Sequence, residues 1–123
     1  MDLISLSKLF SEILDYKVYA INFPEYREGT YTKIEITSGV QEAGGVADFN
    51  IQFMVKSEHP SKSEGAVLNI LNKLDMVTNK DFAEGTYQLI LIKSISPQPY
   101  YVGETENGEF IFSADFRLLV SRL

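Results

Sequence analysis

The chain has 123 residues, a length that fits one domain and allows a hydrophobic core without covalent cross-links. It contains no cysteine, which excludes disulfides and thiolate metal sites, and its net charge of −6 argues against a surface that neutralises nucleic-acid phosphates. The hydrophobic fraction is 45%, no apolar run approaches the roughly 18 residues of a membrane span, and the N-terminus lacks a signal-peptide layout, so we expect one soluble, cytoplasmic domain.

The N-terminal third predicts one helix and two strands. Residues 2–15 place apolar side chains at helical spacing, and Asp2 fits the N-cap position. The stretch YKVYAINFPEY then indicates a short strand that Pro24 ends. In TYTKIEIT, apolar residues alternate with charged ones, which predicts the second strand.

The middle of the chain predicts a loop, a strand and a helix. SGVQEAGG is composed of small and polar residues typical of a loop, with a turn at Gly44-Gly45. VADFNIQFMVKS alternates strictly and predicts a strand with one buried face. HPSKSEGAVLNILNKLDMV predicts the second helix, and Ser61 and Glu64 have the spacing of a capping box. TNKDFAEG is expected to form the exit loop.

The C-terminal third predicts two strands and completes the order α-β-β-β-α-β-β. TYQLILIKSI is apolar on both faces and indicates a central strand, which Pro97 and Pro99 end. The closing strand alternates from Phe110 to Val120 and carries few charges that would block edge pairing. It is therefore either a central strand or an edge strand that pairs with another chain. We expect an α+β two-layer sandwich with a mixed or antiparallel sheet of about five strands covered by two helices.

Residues that could carry chemistry are few. His59 precedes Pro60 and is expected to be an exposed loop residue. A calcium loop at Glu104, Glu106 and Glu109 lacks the glycine that an EF-hand needs at its sixth position. A hairpin turn at Asn107-Gly108, with positive φ at both residues, explains the stretch better. The glycines form no phosphate-binding motif. We therefore predict no catalytic residue, metal or cofactor.

The C-terminal stretch PYYVGETENGEFIFSADFRLLV resembles the ending of tail-terminator, or minor capsid, proteins of long-tailed bacteriophages. FNIQFMVKSEHPSKSEGAVLNILNKLD is also similar to the strand, polar break and helix of that family, and the element order fits over essentially the whole chain. The features that carry the resemblance are Pro99, Tyr100, Tyr101, Gly103, Asn107, Gly108, Phe110, Phe112, Phe116 and Arg117.

The resemblance implies a structural protein, not an enzyme, that forms a ring of six copies and caps the tail tube. Its expected partners are its own copies, the tail tube protein and a head-completion or connector protein, while DNA passes through the lumen without specific binding. The expected location is the virion tail, reached from the host cytoplasm. Contacts are expected in the 38–46 loop and the 103–109 hairpin, with the residues Gln41, Glu42, Glu104, Glu106, Asn107 and Glu109.

Two alternatives remain open. The chain could be a different neck protein, such as a head-completion or connector component. It could also be a small α/β enzyme or ligand-binding domain in which Tyr100, Tyr101 and the acidic hairpin form a cleft. The second alternative requires convergent polar groups, and the sequence offers neither a nucleophile–base pair nor a metal-binding cluster for it.

Overall fold

A computed structural model describes residues 2–25 and 28–123, and within these it describes the backbone but not the side chains of residues 40–43. Two helices and seven strands lie in this part of the chain. In chain order they are α1 (Leu3–Leu14), β1 (Val18–Ala20), β2 (Tyr31–Ala43), β3 (Val46–Ser57), α2 (Pro60–Leu74), β4 (Thr78–Phe82), β5 (Tyr87–Ser94), β6 (Tyr100–Glu104) and β7 (Phe110–Arg122).

The expected two-layer sandwich of about five strands under two helices is wrong, because the strands form a curled half-barrel sheet. The strand order is β1-β2-β3-β7-β5-β4, and β6 pairs with β7 off this path. Register shifts interrupt the pairing of β2, β5 and β6, and such bulges increase the local twist of a sheet. Helix α1 contacts both β1 and β4, which stand at opposite ends of the strand order, so the sheet curls around it.

The closing strand β7 is central in this sheet. Along its whole length it pairs with β3, from Ser57 opposite Phe110 to Val46 opposite Ser121. On its other side, β6 covers its first residues and β5 covers its second half. The small number of edge-blocking charges in β7 is therefore explained by the pairing of both its edges within the sheet.

The hydrophobic core lies between the sheet and the two helices. Three aromatic rings connect its layers: Phe10 of α1 meets Phe53 of β3 at 5.2 Å between ring centroids, and Phe53 meets Phe116 of β7 at 5.4 Å, both edge to face. All three side chains are fully buried. Their edge-to-face geometry is the one that aromatic quadrupoles favour, so the chain of rings stabilises the packing of α1 onto the centre of the sheet.

The two helices begin in different ways. Asp2 caps α1 as expected, because its carboxylate accepts a hydrogen bond from the backbone N–H of Ser5. Helix α2 instead has His59 at its N-cap without a side-chain cap bond, and Pro60 takes the first helical position. The expected capping box of Ser61 and Glu64 is therefore wrong, since the helix begins before Ser61. Among the described residues, neither helix is long and apolar enough to cross a bilayer.

Candidate interaction surface

The two segments expected to make contacts lie at opposite ends of the same pair of strands. The turn between β2 and β3 adjoins Val46, which pairs with Ser121 near the end of β7. The hairpin between β6 and β7 adjoins Phe110, which pairs with Ser57 at the other end of β3. At about 3.3 Å per strand residue, the 12-residue strand β3 separates the two turns by roughly 36 Å.

The expected 38–46 loop is wrong for most of its length, because β2 continues to Ala43. Only Gly44 and Gly45 form the turn, with φ of 62° and 79°, and positive φ at both central residues is what a tight two-residue hairpin turn requires. The backbones of Gln41 and Glu42 pair with Asp48 and Ala47 of β3. The side chains of Gln41 and Glu42 lie outside the described part of the structure, so their expected role in contacts stays a prediction.

The second hairpin has a tip that differs from the expected turn. Gly108 has a positive φ of 77°, whereas Asn107 does not share this conformation. The N–H of Gly108 donates to the carbonyl of Thr105 at 3.0 Å, and the N–H of Thr105 donates to the carbonyl of Glu109 at 2.8 Å. These bonds describe a β-turn followed by a left-handed glycine, which is a common three-residue hairpin loop.

The four acidic and amide residues of this hairpin separate into two groups. Glu104, Glu106 and Asn107 are exposed, as a contact surface requires. Glu109, however, is only 1% exposed, so the expectation that it lies on the surface is wrong. One of its carboxylate oxygens accepts a hydrogen bond from the hydroxyl of Thr105 at 3.0 Å.

The second oxygen of Glu109 faces a buried lysine. The Nζ atom of Lys56 lies 3.4 Å from Oε2 of Glu109, and the two side chains are 8% and 1% exposed. Oε2 makes no hydrogen bond of proper geometry to any described residue. Its negative charge is therefore compensated chiefly by the ion pair with Lys56. The same ammonium lies 4.9 Å from the centroid of the Phe23 ring, and Lys33 approaches that ring at 5.0 Å. These are cation–π distances.

The Lys56–Glu109 pair was not recognised in the sequence, because 52 residues separate the two partners. The alternation of β3 placed Lys56 on the polar face, but only the pairing of Lys56 with Ile111 brings it next to the start of β7. A charged residue at the polar end of a strand is normally solvated, and nothing local distinguishes this one.

The tyrosines that could have lined a ligand cleft are occupied by contacts within the sheet. The hydroxyl of Tyr100 accepts a hydrogen bond from Nε2 of Gln52 at 2.8 Å and lies 3.2 Å from a carboxylate oxygen of Asp115, to which it can donate. The ring of Tyr101 packs edge to face on Phe112 at 5.4 Å. Both tyrosines therefore serve the pairing of β6 with β7, and the acidic hairpin turns its Glu109 inward instead of towards a cleft.

His59 is exposed, as expected. It lines an open groove of about 340 Å³ with Glu58, Lys62 and residues 28–30 and 57. The described residues contain no group of three or more His, Cys, Asp or Glu side chains that could hold a metal ion.

A larger groove of about 520 Å³ lies between α1 and the turn that joins β4 to β5. Its lining includes the charged residues Lys8, Glu12, Asp81 and Glu84 and the apolar residues Leu9 and Phe82. The exposed face of the sheet carries an ion pair in which Nε of Arg117 donates to Asp48 at 2.8 Å. This hydrogen bond from Arg117 lowers the pKa of Asp48 below its usual value.

Comparison with known proteins does not add a family to this description. No protein-family model matches the chain, and no curated protein is significantly similar to it. The resemblance to tail-terminator proteins therefore rests on the residues of this chain alone.

Proposed function

We propose that the chain is a structural protein that associates with copies of itself into a closed ring, caps a phage tail tube and ends tail elongation. The proposal starts from the C-terminal pattern of proline, aromatic residues, Asn-Gly turn and alternating strand. The ring, of six copies, would then present its far side to the connector of the head. The protein would reach the virion tail from the host cytoplasm.

The observation that carries the proposal is the separation of the two turns along β3. A ring is built by head-to-tail contacts, in which one patch of a subunit meets a different patch of the next. Such an arrangement requires two distinct surfaces that lie far apart on the subunit. The Gly44-Gly45 turn and the Thr105–Glu109 hairpin, roughly 36 Å apart by strand geometry, meet this requirement.

The internal position of β7 also supports a scaffold role. Its alternating residues fill the core with Phe116, Leu118 and Val120, and both of its edges are paired. The strand thus holds the two turns at a fixed distance instead of offering a reactive group. A subunit of this kind works through its shape and its surface.

The charge of the chain suits a channel for DNA. The net charge of −6 per chain gives about −36 for six copies, and repulsion between an acidic wall and phosphates would let DNA slide without binding. The exposed carboxylates of Glu104 and Glu106 are candidates either for that wall or for a subunit contact.

A matched pair of charge reversals tests the proposal. Glu106→Lys changes an exposed hairpin residue, and Glu64→Lys makes the same charge change on the exposed face of α2. We expect both variants to fold like the wild type, because exposed substitutions usually change stability by less than about 0.5 kcal/mol. Only Glu106→Lys should weaken self-association in light scattering and capping of purified tail tubes.

The outcomes separate the possible roles. Capping of tail tubes by the wild type and its loss in Glu106→Lys would support the terminator function. Binding of the wild type to purified heads, without binding to tubes, would instead indicate a different head–tail connector. A wild type that neither associates with itself nor binds tubes or heads would contradict the proposal.

A further inference from the structure

Lys56 contacts two surface segments that are distant in sequence. The first is the segment that follows β1, residues 21–25, which contains Phe23. The second is the Thr105–Glu109 hairpin. The ammonium of Lys56 lies 4.9 Å from the ring centroid of Phe23 and 3.4 Å from the carboxylate of Glu109.

Burial makes both contacts of Lys56 necessary. Its side chain is 8% exposed and that of Glu109 is 1% exposed, so neither charge is well solvated. A buried charge is tolerated when an opposite charge and further polar or aromatic groups compensate it. Displacing Phe23 would remove the cation–π contact that holds the Lys56 ammonium in position. Displacing Glu109 would leave the same ammonium without its counter-charge. Each segment therefore depends on the other through Lys56.

We infer that Lys56 clamps residues 21–25 and the Thr105–Glu109 hairpin together, so that the two segments open and close as one unit. Free-energy coupling of this kind is reciprocal: a change in either segment alters the stability of the other. The hairpin tip is then held in place before any partner arrives. This inference does not depend on the proposed ring.

Lys33 provides a matched control within the same cluster. It approaches the ring of Phe23 at 5.0 Å, nearly the same distance as Lys56. No ion pair among the described residues joins Lys33 to Glu109. Removing Lys33 therefore removes a cation–π contact of Phe23 while leaving the link to the hairpin intact.

Amide hydrogen exchange measured by NMR reports each segment separately. In the hairpin, the N–H of Gly108 donates to the carbonyl of Thr105 at 3.0 Å, and that of Glu109 donates to Oγ1 of Thr105 at 3.1 Å. In the first segment, the N–H of Asn22 donates to the carbonyl of Ala20 at 2.8 Å. Amides of the β3–β7 ladder report whether a variant keeps the fold.

The test compares Phe23→Leu with Lys33→Met, and Glu109→Gln with Glu106→Gln. Phe23→Leu should accelerate exchange at Gly108 and Glu109 by about threefold or more, the factor that one ordinary cation–π contact represents. Glu109→Gln should accelerate exchange at Asn22 by a similar factor of about three. Lys33→Met should leave the hairpin amides at wild-type rates, and Glu106→Gln should leave Asn22 unchanged, since Glu106 is exposed at the hairpin tip.

Two results would overturn the clamp, in variants whose ladder amides exchange at wild-type rates. The first is unchanged exchange of the hairpin in Phe23→Leu, or unchanged exchange of Asn22 in Glu109→Gln, because reciprocal coupling requires both effects. The second is equal acceleration of the hairpin by Phe23→Leu and Lys33→Met, which would show that Phe23 acts on the hairpin without Lys56.

Discussion

The aromatic chain through the core gives a quantitative prediction for Phe53→Ala. Phe53 is fully buried and touches two rings edge to face, Phe10 at 5.2 Å and Phe116 at 5.4 Å. Truncating a buried phenylalanine typically costs about 3–5 kcal/mol, and each lost aromatic pair contributes about 0.5–1.5 kcal/mol of such a loss. We therefore expect Phe53→Ala to lower the free energy of unfolding by about 4–5 kcal/mol, near the upper end of that range.

Phe112→Ala is the matched control, because it removes the same side chain from the same face of the neighbouring strand. Phe112 is only partly buried and has one described aromatic contact, with the exposed Tyr101. We expect Phe112→Ala to lower the free energy of unfolding by about 1–2 kcal/mol, because it removes a partly buried side chain and one weak ring pair.

Equilibrium unfolding in urea, followed by circular dichroism, measures both values from the shift of the midpoint at constant slope. A total stability of about 5–15 kcal/mol would leave the Phe53→Ala variant folded but marginal in the lower part of that range. Equal losses in the two variants would refute the reasoning, because they would mean that Phe53 is no more enclosed than Phe112.

Two further predictions concern the β4–β5 turn and the surface ion pair. Glu84 has a φ of 56° and Gly85 a φ of 80°, so both adopt the left-handed conformation. Glu84→Gly should relieve the strain of this conformation and raise the free energy of unfolding in urea by about 0.5–1 kcal/mol. Gly85→Ala should introduce such strain and lower the free energy of unfolding by about 1 kcal/mol. The opposite order of stabilities would contradict this turn geometry. The lowered pKa of Asp48 implies that its pairing with Arg117 contributes stability above the unfolded pKa of about 3.9, and that this contribution disappears as the pH falls through the lower folded value. An NMR titration should therefore place the pKa of Asp48 below that of the same carboxyl in Arg117→Gln, and identical titrations would exclude the pairing.

The strongly periodic elements could be predicted from the sequence. The alternation in VADFNIQFMVKS and in the closing stretch from Phe110 corresponds to β3 and β7, because a strand that is buried on one face imposes a period of two. The two helices also lie where apolar spacing placed them. The capping of α1 by Asp2 could be predicted because a cap hydrogen bond joins residues that are close in sequence.

The strands that were missed lack such a pattern. Four of the five residues of β4 are exposed and polar, so TNKDF has the composition of a loop, and only its pairing with β5 makes it a strand. β6 begins directly after Pro99, where the proline suggested a break. The C-terminal part of β2, with its small and polar residues, extends along β3 through two register shifts. Such edge strands are determined by their neighbours more than by their own residues.

The contact surface could be predicted only in part. Exposure of Glu104, Glu106 and Asn107 followed from their position around a turn. The burial of Glu109 did not, because it depends on a lysine that strand pairing delivers from β3. Local sequence indicates where a hairpin turns, whereas the register of the sheet decides which of its side chains point inward.

Native mass spectrometry of the purified chain across a range of concentrations tests the central claim most directly. The account predicts a closed assembly of six 13.9 kDa chains that persists on dilution, without a continuous series of larger species. A protein that remains strictly monomeric at the highest concentration, and that also fails to join purified tail tubes, would contradict it.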